Sequence, residues 1–245
     1  MKTISKVFSC ILAFSSLLGS VEGQNRYKIW YDKPASYWEE ALPIGNGRIA
    51  AMVFGDPQLE QIQLNEETVS AGSPYQNYNE EAKAALPEMR RLIFEGKYEE
   101  AQNMAATKIL SQVGNEMPYQ TVGRLNIRYQ DHKKVSNYYR DLDISNAMTV
   151  TRYKVDGVEF TEETFASFTD QLVIRHIKSS KPGAINCELF FNTPMRDPKR
   201  SIYGKKGLRL EGITHGSRYF PGKVHYCADL DVKNKGGEVT MANDT

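Results

Sequence analysis

Cysteine is scarce here, with 3 in 245 residues, too few for a disulfide framework to replace a hydrophobic core. Net charge is nearly absent too. Lys and Arg total 31 against 30 Asp and Glu, a balance of +1, whereas a nucleic-acid binder usually shows a marked basic excess. The four histidines, at 132, 176, 215 and 225, stand at no zinc-ligand spacing from another His, Cys or Glu. No metal or other cofactor is therefore expected. No Gly-x-Ser-x-Gly elbow occurs. No apolar run reaches the roughly 20 residues that a membrane helix needs, so no membrane span is expected.

What is present describes a folded, strand-rich protein. Apolar residues make up 40% and charged residues 25%, a balance that excludes intrinsic disorder. Aromatics reach 11%, with 14 tyrosines, which suits strands or contact with carbohydrate. The length fits one all-β domain of roughly 250 residues or two ordinary domains.

The first 23 residues follow the order of a secretory signal: Lys2 and Lys6, then apolar Val7 to Leu18, then small residues to Gly23. The expectation is a cleaved signal peptide over 1–23, one domain over 24–245, and a soluble product exported to the periplasm or the extracellular space. Two cysteines then remain. Cys187 shares an apolar strand face with Ile185, Leu189 and Phe191. Cys227 lies opposite the face of Val224, Tyr226, Ala228 and Leu230. One thiol points inward and the other outward, so the pattern does not favour a bridge between them.

Period-2 alternation dominates the chain. Strands are predicted over 27–31, 48–54 and 59–64, the last two joined as a hairpin by Gly55-Asp56-Pro57. From Val122 onward further strands follow at close spacing. Asp156-Gly157 between 148–155 and 158–168 is the strongest hairpin signal. A last strand is expected over Glu238 to Met241. Between these regions, about 80–111 reads as a small helical insertion, with Asn79 as a cap, Pro87 opening a second helical segment and Gly96 ending it. The absence of strand–helix alternation predicts a mainly β fold, a large antiparallel β-sandwich.

Gly45-Asn46-Gly47-Arg48-Ile49-Ala50 superficially resembles a dinucleotide-binding glycine motif, but Pro43 precedes it and an apolar strand follows. Pyrophosphate binding needs a helix N-terminus at that point. Paired carboxylates are the remaining catalytic class, because glycoside hydrolysis uses two carboxyl groups flanking the scissile bond. Glu39-Glu40, Glu66-Glu67, Glu99-Glu100 and Glu162-Glu163 are adjacent pairs. Neighbours on a strand point to opposite faces, so no such pair is itself catalytic, and no catalytic residue is assigned. Glu99-Glu100 and Glu162-Glu163 read as solvated surface charge. Glu39 and Glu66 lie in turn-rich loops beside Trp38 and Asn65. There an aromatic plane could stack on a sugar while amide and carboxylate groups meet its hydroxyls. Filling of the sandwich core by Trp38, and turn-holding by Asn46 and Asn65, are the competing readings.

Residues 30–74, WYDKPASYWEEALPIGNGRIAAMVFGDPQLEQIQLNEETVSAGSP, closely resemble the opening of glycoside hydrolase family 95, the inverting α-L-fucosidases and their α-L-galactosidase relatives. YQTVGRLNIRY at 119–129, YYRDLDISNAMTVTRYKVDGVEF at 138–160 and PGKVHY at 221–226 extend the resemblance across the mature chain. It implies an N-terminal β-sandwich, completed by a catalytic α/α-barrel domain that carries the general acid and the water-activating asparagines. None of those barrel residues has a counterpart here, and the sequence reads as ending just before the sandwich is complete. Ser70 stands where the family usually has Trp, Ala50 where it has Gly, and Val122-Gly123-Arg124 where it has Leu-Gly-Asp. The expectation is an N-terminal module of an exported fucosidase-like enzyme, inactive alone. Its partners would be the barrel domain and carbohydrate, with Trp38, Glu39, Asn46, Asn65 and Glu66 near the rim of the barrel's pocket. A stand-alone carbohydrate-binding or structural sandwich is the alternative.

Overall fold

The computed structural model describes residues 27–72, 76–111, 117–217 and 221–242; the segment read as a signal peptide lies outside them. Thirteen strands are described: β1 (Lys28–Tyr31), β2 (Leu42–Gly45), β3 (Ile49–Val53), β4 (Leu59–Glu66), β5 (Gly123–Tyr129), β6 (Val135–Asp143), β7 (Met148–Val155), β8 (Val158–Ser167), β9 (Leu172–Ser179), β10 (Cys187–Asn192), β11 (Arg196–Tyr203), β12 (Gly207–Ile213) and β13 (His225–Asp231). They form a first sheet ordered β1-β6-β7-β8-β9, a second ordered β10-β5-β4-β3-β2 and a third ordered β11-β12-β13. Every pairing between neighbours is antiparallel. The architecture is a large antiparallel β-sandwich.

The core lies between the first and second sheets. The second sheet contributes Leu42, Ile44, Ala51, Val53, Ile62, Leu125 and Ile127, the first contributes Leu142, and Leu210 of the third sheet closes one side. Each apolar set follows strand alternation, which puts every second side chain on the buried face. The β7–β8 hairpin turns at Asp156 and Gly157, whose φ values of 46° and 81° are those of the tight turn that matches strand twist. At the β3–β4 connection Gly55 has φ 75°, and a Cβ there would meet the Tyr138 hydroxyl at 2.7 Å.

Three strands were not foreseen, each for a local reason. β2 contains Pro43, tolerated because β2 is the edge of its sheet. β6 has a register shift between Ser136 and Tyr139, with Asn137 at φ 52°, which breaks its alternation. β11 is an exposed edge strand with a similar irregularity between Arg196 and Lys199. The strand expected over Glu238 to Met241 does not form. Asn234 Nδ2 donates to the carbonyls of Gly236 and Gly237, and this turn leaves the following residues irregular.

The helical insertion comprises α1 (Ala82–Phe94), α2 (Tyr98–Met104) and one wider turn over Ala105–Ile109. Pro87 does not open a new segment as expected; it lies inside α1. The helix continues through it because α1 packs on α2, burying Ala85, Leu92 and Ala101. Arg91 also bridges Glu88 and Glu95 on the exposed face. Among the described residues no helix is long and apolar enough to cross a membrane. Cys187 and Cys227 are both free, the first half-buried and the second exposed.

Candidate functional site

The carboxylates that come together do so inside the sandwich. Glu162 was expected in solvent, yet its side chain is 1% exposed and that of Glu60 is 0% exposed. Adjacent Glu162 and Glu163 do point to opposite faces, and the inward member is held by partners remote in sequence. Arg175 on β9 donates to Glu60 Oε2 at 2.7 Å, to Thr164 Oγ1 at 2.7 Å and to Glu162 Oε2. Glu162 Oε1 accepts the hydroxyls of Tyr129 at 2.7 Å and Tyr153 at 2.6 Å. Glu60 Oε1 accepts the backbone N–H groups of Phe54, Gly55 and Gln61 at 3.1, 2.8 and 3.0 Å.

Burial pushes the Glu60 carboxyl up; Arg175 opposes that, and the charge of Glu162 adds to it. Burial works against the charge of Arg175, but Glu162 and Glu60 hold it protonated. A hydrolytic pair must admit a sugar between its two carboxyl groups. These two share one guanidinium out of reach of solvent, so they join the sheets and perform no hydrolysis.

The five residues singled out from the sequence separate into two groups. β2 pairs with β3 from Leu42↔Val53 to Gly45↔Ala50. Trp38 and Glu39 precede β2 in a single turn over Trp38–Glu40, at the Val53 end of the hairpin. Asn46 is at its tip, and Asn65 and Glu66 lie opposite Ala50 and Ile49. One strand length therefore separates Trp38 and Glu39 from the other three.

Asn46 is committed to the fold. Its Oδ1 accepts the N–H groups of Arg48 at 3.1 Å and Ile49 at 2.9 Å, while its Nδ2 donates to Ser167 O at 2.7 Å. It thus holds the turn and ties the second sheet to the first. Glu66 is also engaged, by Arg48 Nε at 3.1 Å, Thr68 N at 2.8 Å and Thr68 Oγ1 at 2.6 Å. Partial burial raises its carboxyl, but the Thr68 and Arg48 bonds outweigh this and hold it below the usual value. Trp38 is 50% exposed and does not fill the core. Glu39 is exposed and Asn65 half-buried.

Sequence reasoning missed the outer face of the second sheet. Gln61, Gln63 and Asn65 of β4 alternate with the core residues Glu60 and Ile62, and β5 places Arg124 opposite Gln63. Two cavities lie along this face. One, of about 620 Å³, is lined by residues that include Tyr37, Trp38, Phe54, Asp56, Gln61 and Arg124. The other, of about 300 Å³, is lined by residues that include Gln63, Gly123, Arg124, Asn192 and Thr193. Arg124 lines both, so the two cavities adjoin at its side chain, and together they are the trough of this face. The signal available in the sequence was the polar half of the β4 alternation. Among the described residues no cluster of His, Cys, Asp and Glu could hold a metal ion.

The family model described as glycosyl hydrolase family 65, N-terminal domain, matches residues 29–245. The chain is similar to alpha-L-fucosidase 2 of Arabidopsis thaliana, 37% identical over 171 residues that cover 69% of this chain and 20% of that protein. It is also similar to probable alpha-fucosidase A of Aspergillus niger, 26% identical over 162 residues, covering 62% of this chain and 20% of that protein. Probable alpha-fucosidase A of Aspergillus oryzae is 26% identical over 174 residues, covering 67% of this chain and 23% of that protein. The chain spans about a fifth of the length of the relatives it matches.

Proposed function

The chain belongs to the family of glycosyl hydrolase family 65 N-terminal domains, and from that premise we propose that it is the N-terminal β-sandwich module of an exported α-L-fucosidase-like glycoside hydrolase. Its substrates would be fucosylated or α-L-galactosyl glycans. Bond cleavage would fall to a partner α/α-barrel domain.

The observation that carries this reading is the 37% identity to a named fucosidase, confined to a fifth of that protein's length. The electrostatics agree with a noncatalytic role. Glu60 and Glu162 are spent on Arg175, and the trough's one carboxylate, Asp56, uses Oδ1 to accept the N–H groups of Gln58 at 2.7 Å and Leu59 at 3.1 Å. Export is supported by the charged, apolar and small-residue order of the first 23 residues.

Trp38, Glu39 and Asn65 would meet the barrel or the rim of its pocket, since no intramolecular hydrogen bond occupies their side chains among the described residues. Asn46 and Glu66 would shape the loops behind them. The test is hydrolysis of an aryl α-L-fucoside by this chain alone and by a chain that also carries the barrel. Turnover is expected only from the second. In that longer chain, Trp38→Ala should lower kcat/KM while leaving Tm nearly unchanged. A large fall in Tm with normal kinetics would assign Trp38 to the fold instead.

A further inference from the structure

We propose that the trough across the outer face of the second sheet binds an acidic oligosaccharide, with the Arg124 guanidinium taking a sugar carboxylate. Every residue lining this site belongs to the chain itself. Its two cavities, about 620 and 300 Å³, each fall within or close to the volumes of small-molecule sites, roughly 300–1,000 Å³. Because they share Arg124, a ligand of several linked rings fits the shape better than a single compact one.

The charge pattern identifies the ligand. Lys33 and Arg124 are the cations among the residues lining the two cavities. Lys33 faces Glu40 at 3.5 Å. Asp56 is turned toward the backbone of its own loop. Arg124 pairs with no carboxylate among the described residues. It is held in place all the same: Nη1 donates to Gln61 Oε1 at 2.8 Å, and the guanidinium lies over the Phe54 ring at 5.8 Å. A pinned guanidinium with donors to spare matches a carboxylate through two parallel hydrogen bonds.

The surroundings suit a sugar. Trp38 and Tyr37 line one end of the trough and offer flat apolar surface for a sugar ring. Gln63 and Asn192 line the other end and offer amides for hydroxyls. Gly123 lines the second cavity beside Arg124. Its φ is 141°, and a Cβ there would stand 2.6 Å from Asn192 O. The absence of a side chain at residue 123 lets the start of β5 approach the β10 end, where Arg124 pairs with Asn192.

The chain's two tryptophans provide the test. Trp30 stacks on Tyr139 in the first sheet at 6.3 Å between ring centroids, away from the trough, so Trp30→Phe leaves Trp38 as the sole indole reporter. The full chain carrying W30F is titrated with trigalacturonic acid and with the uncharged trisaccharide cellotriose, following Trp38 emission. A saturable change is expected with the acidic sugar, with cellotriose roughly ten-fold weaker or more. Adding Arg124→Gln should weaken the acidic sugar by roughly ten-fold, the scale of one charge-assisted hydrogen bond, and leave far-UV circular dichroism unchanged. Raising NaCl from 0.05 to 0.5 M should weaken it as well. Equal binding of the two sugars, an unaffected R124Q variant, or no saturation with either would overturn the proposal. None of these outcomes bears on hydrolysis of an aryl fucoside, so this site and the fucosidase reading stand or fall separately.

Discussion

Replacing Arg175 by methionine should do more damage than any single change on the surface. Its side chain is 7% exposed and stands between Glu60 and Glu162, at 0% and 1%. The substitution keeps most of the side-chain volume but removes the cation that pairs with both carboxylates. One of these can become neutral by taking up a proton, a change burial already favours for Glu60. The other stays buried without compensation, and Thr164 Oγ1 loses its donor. Breaking a buried ion pair from one side costs about 3–5 kcal/mol, a large part of the roughly 5–15 kcal/mol that holds a domain together. For a chain of this size each kcal/mol moves Tm by about 2–4 °C, so Arg175→Met should lower Tm by roughly 6–20 °C. Thermal unfolding followed by circular dichroism on the purified chain measures this directly. Adding Glu60→Gln and Glu162→Gln to the same variant should recover much of the loss, since each amide keeps an acceptor and neither carries charge. A single R175M variant melting within about 2 °C of the parent would refute the reasoning.

Three further outcomes follow from the geometry. Glu60→Gln should flatten the dependence of stability on pH. The folded carboxyl titrates above its ordinary 4.5, so its contribution is intact below that value and lost as pH rises through the folded one; urea midpoints between pH 4.5 and 8 that slope equally in parent and variant would contradict this. Asn46→Ala should cost about 1–2 kcal/mol in urea unfolding, because it frees the tip of the β2–β3 hairpin from Ser167 O and leaves the Arg48 and Ile49 N–H groups without their side-chain acceptor; an unchanged midpoint would mean the tip is held by other contacts. Gly123→Ala should lower Tm sharply and disturb sugar binding in the trough together, since the new Cβ would meet Asn192 O at 2.6 Å and Thr193 Cβ at 2.9 Å; wild-type behaviour in both would show that the β5 start can move aside.

Legibility from sequence followed the range of the forces involved. The Asp156-Gly157 hairpin was readable because two neighbouring residues fix both its turn and the register Val155↔Val158. The helical insertion was readable from its small and apolar periodicity, although Pro87 misplaced its internal boundary. Strands β2, β6 and β11 escaped because Pro43 and the two bulges erase the period that marks a strand. The joining of Glu60 to Arg175 was beyond local reasoning, since 115 residues separate them and nothing in either neighbourhood marks a charge destined for burial. For the same reason Glu162 looked like surface.

Among the candidate site residues, residue type suggested sugar contact for all five, but type could not tell which side chains the fold had already engaged. Asn46 and Glu66 are occupied by neighbours within three residues. Asn46 also reaches Ser167, 121 residues away. Arg124 stood out in the sequence only as a departure from a family pattern. Its place between two cavities depends on how β4, β5 and β10 are paired.

The central claim is that this sandwich serves a fucosidase-like enzyme without performing the reaction itself. The most direct measurement is release of the aryl group from an aryl α-L-fucoside by the purified 24–245 chain, beside a longer chain that includes the barrel. The account predicts no turnover from the first and fucose release from the second. Turnover by the 24–245 chain that a single carboxylate substitution abolishes would contradict it.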